Sequence, residues 1–277
     1  MAFRSRVFFL FVIFMMSGCS STDSKNDLST GVLLTLNDVS FDKETGTITR
    51  YIPRYRNIII PESFNGVAVT AIGDFAFFQK ALQKVSFPPS IKGIGSYSFT
   101  GNFLTNLILP NSVITIETSA FGGNALTNVS LPNSVRTIQK GAFSSNALTR
   151  INIPNSVTTL NGFSNNALIS IDIPDSVITL GGFSHNNLTH VIIPNSVVTI
   201  EQDAFRKNKL FNVSLSNSVR SIGRYAFLKN ELTNITIPDS VDFIDYGAFM
   251  RNELTHVDIP YSTSTDKKAF DKNVTVN

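Results

Sequence analysis

Apolar and polar positions recur along this chain with a period of 22 residues, shortened to 20 in two places. The pattern is plainest in LTNLILP (104–110), LTNVSLP (126–132), LTRINIP (148–154), LISIDIP (168–174), LTHVIIP (188–194), LTNITIP (232–238) and LTHVDIP (254–260). The prolines fall at 88, 110, 132, 154, 174, 194, 238 and 260, and Ser216 occupies the one vacant slot. Within L-T-x-V-x-L the later positions alternate apolar and polar, the signature of a half-buried strand. Val129, Ile151, Ile171 and Val191 are predicted to point inward, together with Leu131, Ile153, Ile173 and Ile193. Proline closes each strand because it has no N–H for the next ladder position.

One full unit reads P-N-S-V-x-T-I-x-x-x-A-F-x-x-N-x-L-T-x-V-x-L. A phenylalanine column runs through 77, 99, Phe121, Phe143, Phe163, Phe183, Phe205, Phe227, Phe249 and 270. It accounts for ten of the 23 phenylalanines, as rings piled at one position of successive coils. Alanine precedes most of them, where a small side chain lets backbone pass close. An asparagine column runs through 102, Asn124, Asn146, Asn166, Asn186, Asn208, Asn230 and Asn252, with Asn273 in the last coil. Asparagine tolerates tight turns and can bond backbone groups of its own and the neighbouring coil, so these are structural positions. One coil cannot bury its own apolar face, whereas a stack buries a continuous one. Parallel strands about 4.8 Å apart would make nine or ten coils a rod or gentle arc of roughly 45 Å.

Residues 32–52 are predicted to form a hairpin, two alternating runs around Asp42-Lys43-Glu44-Thr45-Gly46, capping the open end of the first coil. Asn65-Gly66 marks a second turn. KKAFDKNVTVN at 267–277 keeps the Phe and Asn positions without a following L-T strand and is expected to be a terminal cap. Two coils, TTLNGF (158–163) and ITLGGF (178–183), lack two residues before Phe and carry Gly162 or Gly182 in place of alanine. Glycine allows the tighter path, and a shallow notch on the convex side is expected there.

The motifs I-P-x-S-V-x-x-I-x-x-x-A-F and L-T-x-V-x-I-P, recurring over about residues 55–277, resemble the BspA-like leucine-rich repeats of bacterial surface proteins. The resemblance implies a solenoid of class α/β, β-dominated, with a parallel sheet on its concave side. It also implies export and attachment to proteins or cells. That family often has Cys where this chain has the Asn column.

The N-terminus departs from the repeat. Arg4 and Arg6 precede an apolar run, Val7 to Met16, too short for a bilayer-spanning helix, which needs roughly 20 residues. Small residues follow, and Met16-Ser17-Gly18-Cys19 resembles the bacterial lipobox. Residues 1–18 are therefore expected to be a signal peptide and 19–30 a polar tether lipidated on Cys19. Residues 31–54 are expected to form the hairpin cap, and 55–277 the solenoid. Cys19, alone in the chain, has no partner for an internal disulfide. Ser20 after it favours the outer membrane or cell surface by analogy with Gram-negative sorting.

Composition narrows the function. Hydrophobic residues are 42% and charged ones 16%, which excludes a charge-rich disordered chain. The formal charge of +3 falls to about +1 once Arg4 and Arg6 are removed, so no nucleic acid partner is expected. The exposed x columns of L-T-x-V-x-L are polar and small. Their least repetitive residues, Arg150, Asp172, His190 and His256, are the candidate contacts for a protein or glycan partner. Asp172 and Asp258 lie four coils apart, about 19 Å, whereas glycosidase carboxylates need roughly 5–9.5 Å. His190 and His256 lie about 14 Å apart, too far to share a metal. No catalytic residue, cofactor or metal is expected. Two other functions remain open: a self-associating envelope-assembly protein, and a carbohydrate-active enzyme on a parallel solenoid.

Overall fold

A computed structural model describes residues 31–277. The expected signal peptide, Cys19 and tether lie outside the described residues. The described chain is a parallel β-solenoid of about eleven turns, with strands and turns only and no helix. The helical half of the predicted class is therefore absent. The reason lies in the x-x-x-A-F segment, the only stretch long enough for a helix. Its residue before alanine is left-handed in coil after coil: Tyr97 (φ 56°), Ser119 (53°), Asp203 (56°) and Tyr225 (58°). A left-handed residue interrupts any right-handed helix.

The continuous sheet is not the one the alternation suggests. Twelve strands form a single sheet on the V-x-T-I segment. Eleven of them follow one another in parallel, including Thr115–Ile116, Thr137–Ile138, Thr159–Leu160 and Thr179–Leu180, with Ile116 opposite Ile138 and Leu160 opposite Leu180. From Ala71–Ile72 onward each strand is only two residues long, too short to show an alternation in sequence. Flanking bonds extend each rung, as Gln139 N–H to the Ile116 carbonyl (3.0 Å) and Arg136 N–H to that of Ile114 (2.9 Å). The L-T-x-V-x-L segments instead pair in small groups: Asn106–Ile108 with Asn128–Ser130, and His190–Ile192 with Asn212–Ser214. Proline ends all of these segments except the one that closes on Ser216, and it withholds the next donor where it stands.

Between the two faces lies the ring stack. Successive Phe centroids are 4.8 to 5.8 Å apart, with planes within 17° of parallel. Phe77 through Phe249 are fully buried. The widest and most tilted pair is Phe163 and Phe183, at 5.8 Å and 17°, where both coils are short. An eleventh ring begins the stack: Tyr51 lies 5.0 Å from Phe77. Burial pushes its phenol pKa well up, and its oxygen accepts from the Tyr55 N–H at 3.0 Å.

Each asparagine ties two coils together. Asn186 Nδ2 donates to the carbonyls of Phe163 and Phe183 (both 3.0 Å), and its Oδ1 accepts from Leu168 N–H (3.0 Å). The same triplet recurs at Asn124, Asn146, Asn166, Asn208, Asn230 and Asn252. Asn273 is exposed instead, and Asp271 accepts from the Arg251 N–H.

The ends differ from expectation in extent. The hairpin is Val39–Asp42 against Thr47–Tyr51, closed by Asp42 accepting from Glu44 N–H and Thr45 Oγ, bonds that lower its carboxyl pKa. Val32–Leu33 lies outside it and pairs in parallel with Ile58 and Ile59, so residues before 39 already belong to the front face. At the other end Thr275–Val276 pairs with His256–Val257. The last coil therefore does carry a front strand, with Val276 filling the Val slot.

Candidate binding face

The front face is built by alternation. Val191 and Ile193 turn into the core, which leaves His190 and Ile192 outside on one strand. All four candidate contacts, Arg150, Asp172, His190 and His256, are exposed on this face. The structure brings two of them into one groove of about 590 Å³. Asp172 and His190 both line it, with Ile192, Ser214, Ser216 and Asn217 continuing the lining. Ile192 is 69% exposed and gives the polar groove an apolar centre. His190 Nδ1 lies 3.2 Å from Thr189 Oγ and no ion pair joins it to Asp172, so both side chains remain available to a partner.

The groove sits at a break in an internal ladder. Serine of N-S-V donates to a carbonyl of the preceding coil: Ser134 to Val113 (2.7 Å), Ser156 to Val135 (2.6 Å), Ser176 to Val157 (2.7 Å) and Ser240 to Val219 (2.9 Å). Ser196 Oγ is buried without a partner. In the next coil Ser216, in the vacant proline slot, donates to the Pro194 carbonyl at 3.0 Å. The vacant slot is visible in the sequence, but its coincidence with Asp172 and His190 is not.

His256 belongs to a second groove of about 480 Å³ with Asn234, Thr236 and Asp258. Its Nε2 lies 3.0 Å from Asp258 Oδ1, and Asn277 Nδ2 donates to that same oxygen at 3.1 Å. His256 thus bonds two side chains, Asp258 and Asn277, whereas His190 bonds only its neighbour Thr189. Arg150 lines neither groove. Among the described residues no group of three or more His, Cys, Asp or Glu is placed to hold a metal ion.

Sequence reasoning passed over the edge where the chain turns after each Phe. At the two short coils a cavity of about 390 Å³ opens there, lined among others by Lys140, Asn161, Gly182, His185, Asp203 and Arg206. It lies where the two missing residues predict a notch. Burial lowers the His185 pKa first, then the charges of Lys207 and Arg206, opposed by Asp203.

About eleven coils, each with one ring in the stack and nine of them with an asparagine three residues further on, define a leucine-rich-repeat solenoid. The model of the BspA type leucine rich repeat region matches residues 49–164 and 160–277. The chain belongs to this family. Among solved structures it is similar to a leucine-rich repeat protein from Bacteroides ovatus. That match has 23% identity and a TM-score of 0.63, over 86% of this chain and 64% of that one. The chain thus spans less than two thirds of that protein's length. It is also similar to the pneumococcal vaccine antigen PcpA, with 20% identity and a TM-score of 0.59, over 88% of this chain and 69% of that one. Both likenesses bear on the fold alone. No protein of curated function matches the chain.

Proposed function

We propose that the chain is an exported lipoprotein, anchored through Cys19 at the bacterial cell surface or outer membrane, that captures a protein or glycan partner on its front face. The reading assigns binding and no reaction. The apolar leader ending in Met16-Ser17-Gly18-Cys19 supports export and anchoring. The family supports a binding surface. The observation that carries the reading is the groove that Asp172, His190 and exposed Ile192 line together. An apolar contact ringed by unengaged polar groups is how recognition sites combine affinity with selectivity.

The test begins with crosslinking the full chain to candidate host and envelope extracts, then measuring the affinity of the identified partner. Arg150→Glu combined with Asp172→Lys should weaken that affinity by about tenfold or more, through like-charge opposition and lost steering. Unchanged affinity moves the site off this face. Stable self-association in place of a partner would favour envelope assembly. Mass spectrometry of the cellular protein should find a lipid on Cys19, and Cys19→Ala should release the protein from the membrane fraction.

A further inference from the structure

The turn edge carries a charged row that the front-face reading does not use. Two positions past each Phe from Phe77 to Phe249 the backbone is left-handed, as at Ser145 (φ 55°), Asn165 (55°), His185 (55°), Lys207 (54°), Lys229 (60°) and Arg251 (58°). Glycine and asparagine are the residues suited to this conformation, and a long side chain there costs roughly 1–2 kcal/mol. The earlier coils use the uncharged Gln79, Gly101, Gly123, Ser145 and Asn165. From His185 onward the chain places an imidazole and then long cations on consecutive rungs, with Lys272 equivalent in the last coil. Strain retained for a cation, coil after coil, asks for a use.

No internal partner supplies it. Among the described residues, the ion pairs are Arg206–Asp203, Arg220–Asp242 and His256–Asp258, and none includes Lys207, Lys229, Arg251 or Lys272. Asp271, beside Arg251, accepts from its backbone N–H (2.6 Å). Asp245 and Asp266 likewise accept from the N–H groups of Tyr246 and Lys268. Glu231 and Glu253 stand exposed in the next column without pairing to the row. Beside the row runs a second one, in which Arg224 lies 4.9 Å from the Tyr225 ring and 5.0 Å from that of Tyr246. The row starts at the notch, where buried His185 Nδ1 and Arg206 Nε both lack hydrogen-bond partners.

The spacing is fixed by the backbone. His185 N–H bonds the Arg206 carbonyl (2.8 Å), Lys207 N–H that of Leu228 (2.8 Å) and Lys229 N–H that of Met250 (2.9 Å). Successive cations therefore step by about 4.8 Å along the solenoid. A linear polymer with one anion per sugar ring has a charge repeat close to that step. B-form DNA, with a phosphate every ~3.4 Å along each strand, does not. Tyr225 and Tyr246 offer ring faces for sugar C–H groups, and Ser164, Ser184 and Asn161 at the notch offer bonds for hydroxyls.

We propose that this edge binds an acidic polysaccharide, laid lengthwise from the notch at His185 across Lys207, Lys229 and Arg251. The site is separate from the front groove.

The test uses the purified full chain and polygalacturonate, with its methyl ester, single-stranded DNA and anionic phosphatidylglycerol vesicles as comparisons. Polygalacturonate should bind with an affinity that falls as salt rises, and the neutral ester should not bind. The triple variant Lys207→Asn, Lys229→Asn, Arg251→Asn should bind about tenfold or more weakly and show a flatter salt dependence. Because asparagine suits the left-handed position, the same variant should melt at a higher temperature than the parent. A structural role for the cations predicts the opposite shift. Lys84→Asn, which removes an exposed front-face cation outside both grooves, should leave polygalacturonate binding unchanged. Equal binding of the neutral ester, undiminished binding by the triple variant, or preference for DNA or vesicles would overturn the proposal.

Discussion

At the residue scale, the two short coils are held together by glycine. Gly182 lies at φ +73°, and a Cβ there would stand 2.4 Å from the Asn161 carbonyl carbon and 2.6 Å from the Gly162 nitrogen. Gly123 has a similar φ of +62°, but its nearest neighbour would be 3.8 Å away. The pair separates conformational strain from close approach. Gly123→Ala should cost about 1 kcal/mol, the left-handed penalty alone. Gly182→Ala adds backbone overlap in a packed wall and should cost about 3 kcal/mol or more. Urea unfolding of the two variants checks the difference, and equal costs would mean that the short coils are looser than the geometry requires. The asparagines act by a different logic. Asn186 bonds one N–H and two carbonyls, each carbonyl shared with the asparagine of a neighbouring coil, so it is fixed by its bonds rather than by its turn.

At the scale of elements, the cap is a coil in disguise. Ile48 pairs with Ile72, and Tyr51 follows Ile48 at the interval that separates Leu160 from Phe163 in a short coil. The hairpin therefore supplies both a strand for the long sheet and a ring for the stack. Removing residues 31–54 would bare the edge of Ala71–Ile72 and one face of Phe77, and an open edge recruits further strands. Sedimentation should show the truncated chain associating at concentrations where the full chain does not. Identical sedimentation would mean the edge is already protected. These elements also mark what the sequence could reveal. The 22-residue period exposed the coil, the inward Phe and the bonding Asn, because each recurs at a fixed offset. The two-residue T-I strands gave no alternation to read, and Tyr51 hid because its ring is not phenylalanine. Val274–Val276 lacks the Leu-Thr that marks other front strands. Asp172 and His190 were singled out as unlike their neighbours, but their common groove depends on Ser216 and on a bond made one coil away.

At the scale of the whole molecule, each coil touches only its neighbours, so stability is a sum over coils and the interfaces between them. Three ladders tie the interfaces: the unbroken back sheet, the ring stack and the asparagine bonds. The front face adds little, because its pairing is interrupted. The weakest junction should then be where the rings part most, between Phe163 and Phe183. Phe183 is fully buried and stacked on both sides, whereas Phe270 is 9% exposed and stacked only on Phe249. Phe183→Ala should cost about 3–5 kcal/mol, as a buried ring does, and should sever the array at its thinnest point. Phe270→Ala should fray the last coil and leave the others standing. Hydrogen exchange reads the distinction directly. In the Phe183 variant, amides of the coils on both sides, such as Phe163 and Phe205, should lose protection together. In the Phe270 variant the loss should stop at the coil of Phe249. If both variants lose protection uniformly along the chain, the solenoid folds as one indivisible unit, and the coupling carried by the back sheet exceeds that of any single interface.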